Sequence, residues 1–315
     1  MGNTKRTMTG HLHCKDFAMA RSIRSALLAT GMMLAFALTA GHAYAQAAFE
    51  AAYTIAVARI PIGSAAMTGS IGTDEYVISM SGRTSGLARV VASGEGSMTA
   101  TGAVSANKLL PLRYTSKSTA DDDTLAVTMT FKDGNVNELE ASEPPPGEDR
   151  VVLTTEHRRQ VLDPLSALLI PAGDTGLSEA TCRRVLPVFD GRRRYDLSLS
   201  FKRIEQVKAS QGYAGPAAVC SVAFQPIAGH RRSSPLLTFL TDGRDVEMAL
   251  APIAGSRTLA PFRITATYML GNVVMQATRF EATAMPAPTM ARINAYSAAA
   301  APDSSRIKDL RELNM

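Results

Sequence analysis

Residues 182–201 read CRRVLPVFDGRRRYDLSLSF, residues 212–232 read GYAGPAAVCSVAFQPIAGHRR, residues 236–255 read LLTFLTDGRDVEMALAPIAG and residues 260–282 read APFRITATYMLGNVVMQATRFEA. Successive side chains of a strand point to opposite faces, so a half-buried strand alternates apolar and polar residues. Tyr195, Leu197, Leu199 and Phe201 alternate with Arg194, Asp196, Ser198, Ser200 and Lys202. Phe262, Ile264, Ala266, Tyr268 and Leu270 alternate with Arg263, Thr265, Thr267 and Met269. Gly271-Asn272 then supplies a two-residue hairpin signal, because glycine takes the positive φ that such a turn needs. A further strand runs from Val273 to about Phe280. Leu237–Thr241, Asp242-Gly243 and Val246–Leu250 read as another hairpin. Sequential hairpins build an antiparallel sheet, not the strand–helix–strand rhythm of a parallel one.

Upstream the pattern continues. Phe49, Ala51, Tyr53, Ile55 and Val57 form a first strand, which Ile60-Pro61-Ile62-Gly63 is expected to break. Strands follow at about 64–71, at Tyr76–Met80, more weakly to about Thr101, and at Arg113–Lys117. A clean strand carries Leu125, Val127, Met129 and Phe131 on one face, and Asp133-Gly134-Asn135 turns it. The prolines of 144–146 place the next stretch in an exposed loop, since proline cannot donate to a ladder. One helix is expected, at about 163–170 and two turns long. Asp163 caps it, Pro164 suits its first position, and Leu165, Leu168 and Leu169 share a face.

Residues 1–45 read as a leader and signal peptide. Arg21 and Arg24 precede an apolar run from about Ala26 to Ala40, and Ala43-Tyr44-Ala45 is a small-x-small cleavage pattern. Cleavage is expected after Ala45, and Met19 is a natural start for such a signal. The run falls short of the roughly 20 residues of a membrane span, so no transmembrane segment is expected once the signal is removed. Five of the 33 basic residues and one of the 28 acidic ones lie in the leader, leaving a balance of +1. That gives nucleic-acid binding no support. Residues 46–283 form the antiparallel β domain, and the Ala/Pro-rich stretch 284–315 reads as a disordered tail. The fold class is all-β: a single antiparallel curved sheet, or an open or half barrel, with the short helix at its open side.

Cys182 and Cys220 are the two cysteines beyond the leader. In an exported chain they are expected to form a structural disulfide, worth about 3–4 kcal/mol in the chain-entropy model. Two buried free thiols are the alternative.

Catalytic and metal chemistry find little footing. His157 and His230 lack metal-ligand spacing. His11, His13 and Cys14 would leave with the leader. Asp121-Asp122-Asp123 lacks the glycine-bearing frame of a calcium loop and reads as a solvated turn. Ser105-Ala106-Asn107-Lys108 fits a Ser-x-x-Lys pattern without its partner motifs. No cofactor site is read. The sharpest charged feature is Arg192-Arg193-Arg194. Arg192 and Arg194 share a polar face and, with Arg231 and Arg232, are candidates for an anion or lipid-headgroup contact; a solvated, salt-bridged edge is the competing explanation.

Several segments together resemble the exported bacterial proteins grouped as domain of unknown function 3108. They are Ile60-Pro61-Ile62-Gly63, Asp163-Pro164-Leu165-Ser166-Ala167-Leu168, Phe189 to Tyr195, Gly212 to Pro216, Pro226 to Arg231 and Leu250 to Gly255. The resemblance spans roughly Phe49 to Ala282. It implies export and an all-β fold like the open barrels of lipoprotein carriers, and it brings no catalytic residues. Two function classes follow. One is a periplasmic binding or carrier module for an apolar, lipid-like ligand, with Ala51, Ala65, Gly69, Ala266 and Ala277 leaving room inside. The other is a structural or protein-interaction component of envelope assembly or maintenance with no small-molecule ligand. An enzyme ranks third.

Overall fold

The computed structural model describes residues 46–86, 93–105, 108–120, 123–142, 149–172, 176–234, 245–268 and 271–285, with Gly2, Leu237, Thr238 and Thr241 besides. The expected signal peptide lies outside them, as do the Pro-rich loop 143–148 and the tail from 286. Contacts separate residues 1–43 from a second unit, Tyr44–Met315. Only this second unit has described secondary structure.

Seven strands of its first half form one meander: β1 (Gln46–Val57), β2 (Ile60–Ile71), β3 (Glu75–Thr84), β4 (Gly94–Ser105), β5 (Lys108–Ala120), β6 (Asp123–Lys132) and β7 (Asn135–Ala141). The second half adds β8 (Ile170–Pro171), β9 (Arg184–Phe189), β10 (Arg194–Lys208), β11 (Gln211–Gly212), β12 (Ala214–Ala228), β13 (Val246–Pro252), β14 (Thr258–Tyr268) and β15 (Gly271–Met285). All belong to one 15-stranded sheet in the order β7-β6-β5-β4-β3-β2-β1-β15-β14-β13-β12-β10-β9, with β11 on β15 and β8 on β14. The first strand therefore pairs with the last, and the two halves are one continuous surface. The sheet does not close: β7 and β9 are its edges.

The alternation reads correctly in the first half. Phe49, Ala51 and Tyr53 are buried, as are Met67, Tyr76, Ile78, Tyr114 and Met129. They form one core with Phe262 and Phe280 of the second half. Phe280 packs against Phe49 (ring centroids 5.0 Å apart), Phe262 (5.6 Å) and Tyr213 (5.7 Å). The Tyr53 hydroxyl, buried among them, donates to the Pro261 carbonyl at 2.8 Å, as a buried phenol requires.

In the second half both faces are covered. Ala217, Val219, Ala249 and Ala251 face the first core. Their alternates Ala218, Cys220, Met248 and Leu250 face a second cluster, with Ala167, Ile170, Cys182 and Leu186. The described part of segment 162–182 supplies that second layer through Ala167, Ile170 and Cys182, while its Leu165 and Leu169 turn into the first core and plug the open side of the barrel. The segment includes a one-turn helix, α1 (Glu179–Cys182), tied to β12 by the Cys182–Cys220 disulfide.

Four expectations need correction. The helix expected over about 163–170 is only a 3-10 turn at Ser166–Leu168, because the chain leaves it at once to pair as β8. The first hairpin turns at Ala58-Arg59, both with positive φ, and Ile60 to Gly63 are already strand. Gly271 and Asn272 are not the turn but the start of β15, paired with Tyr268 and Thr267 of β14. Glycine is needed at 271 because a Cβ there would stand 2.9 Å from Ala58 Cβ of the neighbouring hairpin. Finally, Leu237, Thr238 and Thr241 are helical, not strand: the Thr238 amide donates to Ser234 O at 3.1 Å and the Thr241 hydroxyl to Leu237 O at 2.9 Å. The strand β15 also runs two residues into the expected tail.

The gap between the sheet edges is bridged. Val161 N donates to Gly134 O in the β6–β7 turn, while Leu162 N donates to Pro187 O and Phe189 N to Leu162 O on β9. On the same gap the β9–β10 turn rests on β6. Gly191 (φ +92°) is pressed so close that a Cβ would meet Val127 Cγ1 at 2.4 Å. Gly191→Ala should therefore destabilise the chain by about 2 kcal/mol, from overpacking and backbone strain together. Chemical denaturation checks this; an unchanged midpoint would show that the turn does not pack on β6.

Candidate functional site

Three places combine polar groups with burial or concavity. The first is inside. Asp163 is fully buried, and its Oδ1 accepts from the amides of Leu165 (3.0 Å) and Ser166 (2.9 Å). Asp163 thus caps the turn, as the sequence leads one to expect. Its Oδ2 accepts from the Ser166 hydroxyl at 2.5 Å, and Ser166 Oγ in turn lies 2.6 Å from the Tyr76 hydroxyl on β3. Burial pushes the Asp163 carboxyl up to about 6, against the opposing pull of those hydrogen bonds. Burial, reinforced by Asp163, also raises Tyr76 far above the ordinary phenol range. A serine bonded to a carboxylate resembles a nucleophile with its base, but Ser166 is 1% exposed and Tyr76 1%. No substrate reaches that hydroxyl, so the network holds the plug of the barrel in place.

The second place is the gap between the sheet edges, where the sequence singled out Arg192, Arg194, Arg231 and Arg232. The structure does not bring the four to one point. Arg194 forms an ion pair with Asp196 at 2.6 Å and also donates to Tyr195 O. Arg231 lies 3.8 Å from Asp149, and Arg232 is exposed. Arg192 reaches across the gap, its Nη2 donating to Ser142 O (2.8 Å) and Ala126 O (3.3 Å). Desolvation lowers its pKa, offset by Asp190 and deepened by Arg193 and Arg150. Arg150, which sequence reasoning passed over, donates from Nη1 to Gly229 O at 3.1 Å. Nothing in its position after a Pro-rich loop signals this role. His230 packs edge-on against Tyr195 and Phe224, with Nε2 3.2 Å from Arg194 O, and burial lowers its pKa. It is a packed aromatic there, not a ligand.

The third place is a groove of about 710 Å³ over β1–β5. Its lining follows the register Ala52–Ala66–Ser81–Ser97–Lys117 and the neighbouring row Thr54–Ser64–Arg83–Glu95–Thr119. Both rows alternate with buried Ala51, Tyr53, Ala65 and Met67, so they lie on the face turned away from the core. The lining is hydroxyl-rich and holds three charges.

Of the remaining expectations, Ser105 and Lys108 face each other across the β4–β5 hairpin and start no helix. Asp123 begins β6, while Asp121 and Asp122, like His11, His13 and Cys14, lie outside the described residues. Among the described residues no helix is long and apolar enough to cross a membrane.

The fold defines the class: a single antiparallel sheet rolled into an open barrel, plugged at its gap and stapled by one disulfide. The chain belongs to the family described as protein of unknown function, DUF3108, whose model matches residues 52–278. Among solved structures it is similar to the beta-barrel-like protein of domain of unknown function DUF1849 from Brucella abortus. The identity is 10% and the TM-score 0.44, over 76% of this chain and 98% of that one. No curated protein matches the chain.

Proposed function

We propose that the chain is an exported interaction module of the bacterial cell envelope, a solid β scaffold that meets its partner on its outer surface. The observation that carries this reading is the filled interior. Four of the five small residues that suggested room for an apolar ligand are crowded by neighbours, while Ala266 is half-buried and belongs to neither core cluster. A Cβ on Gly69 would stand 2.4 Å from Val77 O, and Ala51, Ala65 and Ala277 are buried within the aromatic core. A lipid-sized site is lined predominantly by apolar side chains over several hundred Å³, whereas the groove of that size lies on the outward face and mixes apolar surface with hydroxyls and the charges of Arg83, Glu95 and Lys117.

The test is the intact mass of the protein purified from the periplasmic fraction, followed by lipid extraction. A bare chain beginning at Gln46, lighter by two hydrogens for the disulfide, is the expected result. A photo-crosslinker at Ser81 or Ser97 in the groove should give one discrete adduct in cells. Reproducible co-purified lipid would overturn the reading in favour of a carrier, and retention of residues 1–45 would overturn export.

A further inference from the structure

Across β10, β13 and β14 neighbouring opposite charges pair. Lys202 pairs with Glu247, Arg203 with Glu205 and Glu247, and Arg263 with Glu205. The groove over β1–β5 is different. Arg83 and Glu95 stand directly opposite each other on β3 and β4, where opposite charges ordinarily attract into a pair. Yet neither side chain, nor that of Lys117 on β5, forms an ion pair or hydrogen bond among the described residues. The hydroxyls of Thr54, Ser64, Ser81 and Ser97 in the same lining have no protein partner there either.

The strands beneath this lining are unusual too. Gly82 and Gly96 face each other across β3 and β4, and crowding forces neither: a Cβ on either would come no nearer than 3.5 Å to a neighbour. Neither has the positive φ that demands glycine, and the β3–β4 register runs through them without a bulge. A glycine pair weakens a ladder. The remaining uses of glycine within a strand are a bend and the close approach of a ligand.

The lining crosses five strands, about 19 Å at the usual strand spacing, in two rows about 7 Å apart along them. That is a track for one extended chain of about six residues, not for a compact ligand. It offers no aromatic face on which a sugar ring could stack, since its one aromatic residue, Tyr53, is buried in the core. Two cations against one carboxylate give the track a net positive charge.

We propose that the groove binds an extended, acid-rich peptide segment of a partner protein, laid across β1–β5. Its carboxylates meet Arg83 and Lys117, a main-chain amide or a basic side chain meets Glu95, and the free serine and threonine hydroxyls bond its main chain. This names the partner chemistry for the interaction reading given above and rests on it.

The test places the photo-crosslinker at Ser81 of the full chain in cells, digests the adduct and sequences the attached segment by mass spectrometry. The expected segment is a peptide with more Asp and Glu than Lys and Arg. Arg83→Glu together with Lys117→Glu should lower the adduct yield by about tenfold or more. Arg113→Glu, at an exposed arginine of β5 outside the groove, should leave it unchanged. If the double variant fails to fold, Ser97→Tyr, which fills the groove and keeps its charges, should lower the yield in its place. An attached segment that is basic or a glycan, or a yield untouched by these variants, would overturn this proposal and leave the interaction reading standing. Absence of any adduct, or an adduct that carries lipid, would overturn both.

Discussion

Replacing Cys182 and Cys220 together with alanine should lower the stability of the folded chain by about 4 kcal/mol. The bond joins residues 38 apart, and the chain-entropy model gives that magnitude for a loop of this length. Against the roughly 5–15 kcal/mol that holds a typical domain folded, such a loss is large. The position adds to it. Both cysteines are fully buried in the second cluster, where the bond holds α1 and the layer of segment 162–182 on β12. Urea unfolding with and without reductant measures the effect. Reductant should lower the midpoint of the native chain and leave the double variant unmoved. Equal midpoints for native and variant chains under oxidising conditions would show that the layer needs no staple.

The same two clusters show what a one-dimensional pattern can carry. In β2, β3 and β6 one face meets the core and the other meets solvent, so Met67, Ile78 and Met129 announce themselves by alternation. In β12 the run Ala217 to Cys220 is buried on both sides, and alternation vanishes with the solvent face. The pairing of Cys220 with Cys182 was legible, but the second core it faces was not, because Ala167, Ile170 and Cys182 reach that core from a stretch with little regular structure among its described residues. Leu237 to Thr241 misled for a different reason. Its apolar residues satisfy both a strand and a helical spacing, and the described ones, Leu237, Thr238 and Thr241, are helical, with the Thr238 amide donating to Ser234 O. At the barrel gap, Arg192 stood out as part of a charge run. Its reach to the Ser142 and Ala126 carbonyls did not, since that contact depends on sheet edges separated by a path of thirteen strands. The polar network is a similar case. Asp163 reads as a cap, which it is, yet Tyr76 lies 90 residues from Ser166, and nothing local says that the capped turn will be driven into the core.

That burial sets a pH dependence of unusual sign for a carboxylate. In the unfolded chain Asp163 releases its proton near 3.8, and in the folded chain near 6. Between those values the folded state binds the proton and the unfolded state does not. Stability is therefore greatest at the acid end of this window and falls as pH rises from about 4 to about 6, after which it stays level. The displacement from 3.8 to about 6 corresponds to about 3 kcal/mol. His230 works in the opposite sense: burial disfavours its charged form, so its contribution is present above about 6.5 and is lost as pH falls. The two are separated by Asp163→Asn. An asparagine oxygen still accepts from Leu165 N and Ser166 N, and its amide donates to Ser166 Oγ, which is then free to donate to Tyr76. The variant has no proton to take up, so it should lose the Asp163 slope while retaining that of His230. Urea midpoints of native and variant chains at about pH 4, 5, 6 and 7 give the difference curve directly. A difference that changes by about 3 kcal/mol across this range, with the variant gaining relative to the native chain as pH rises, places an uncompensated carboxylate at the centre of the plug. Parallel curves would mean that Asp163 meets solvent or a cation in the folded chain, and that the turn at Ser166–Leu168 is not sealed inside the barrel.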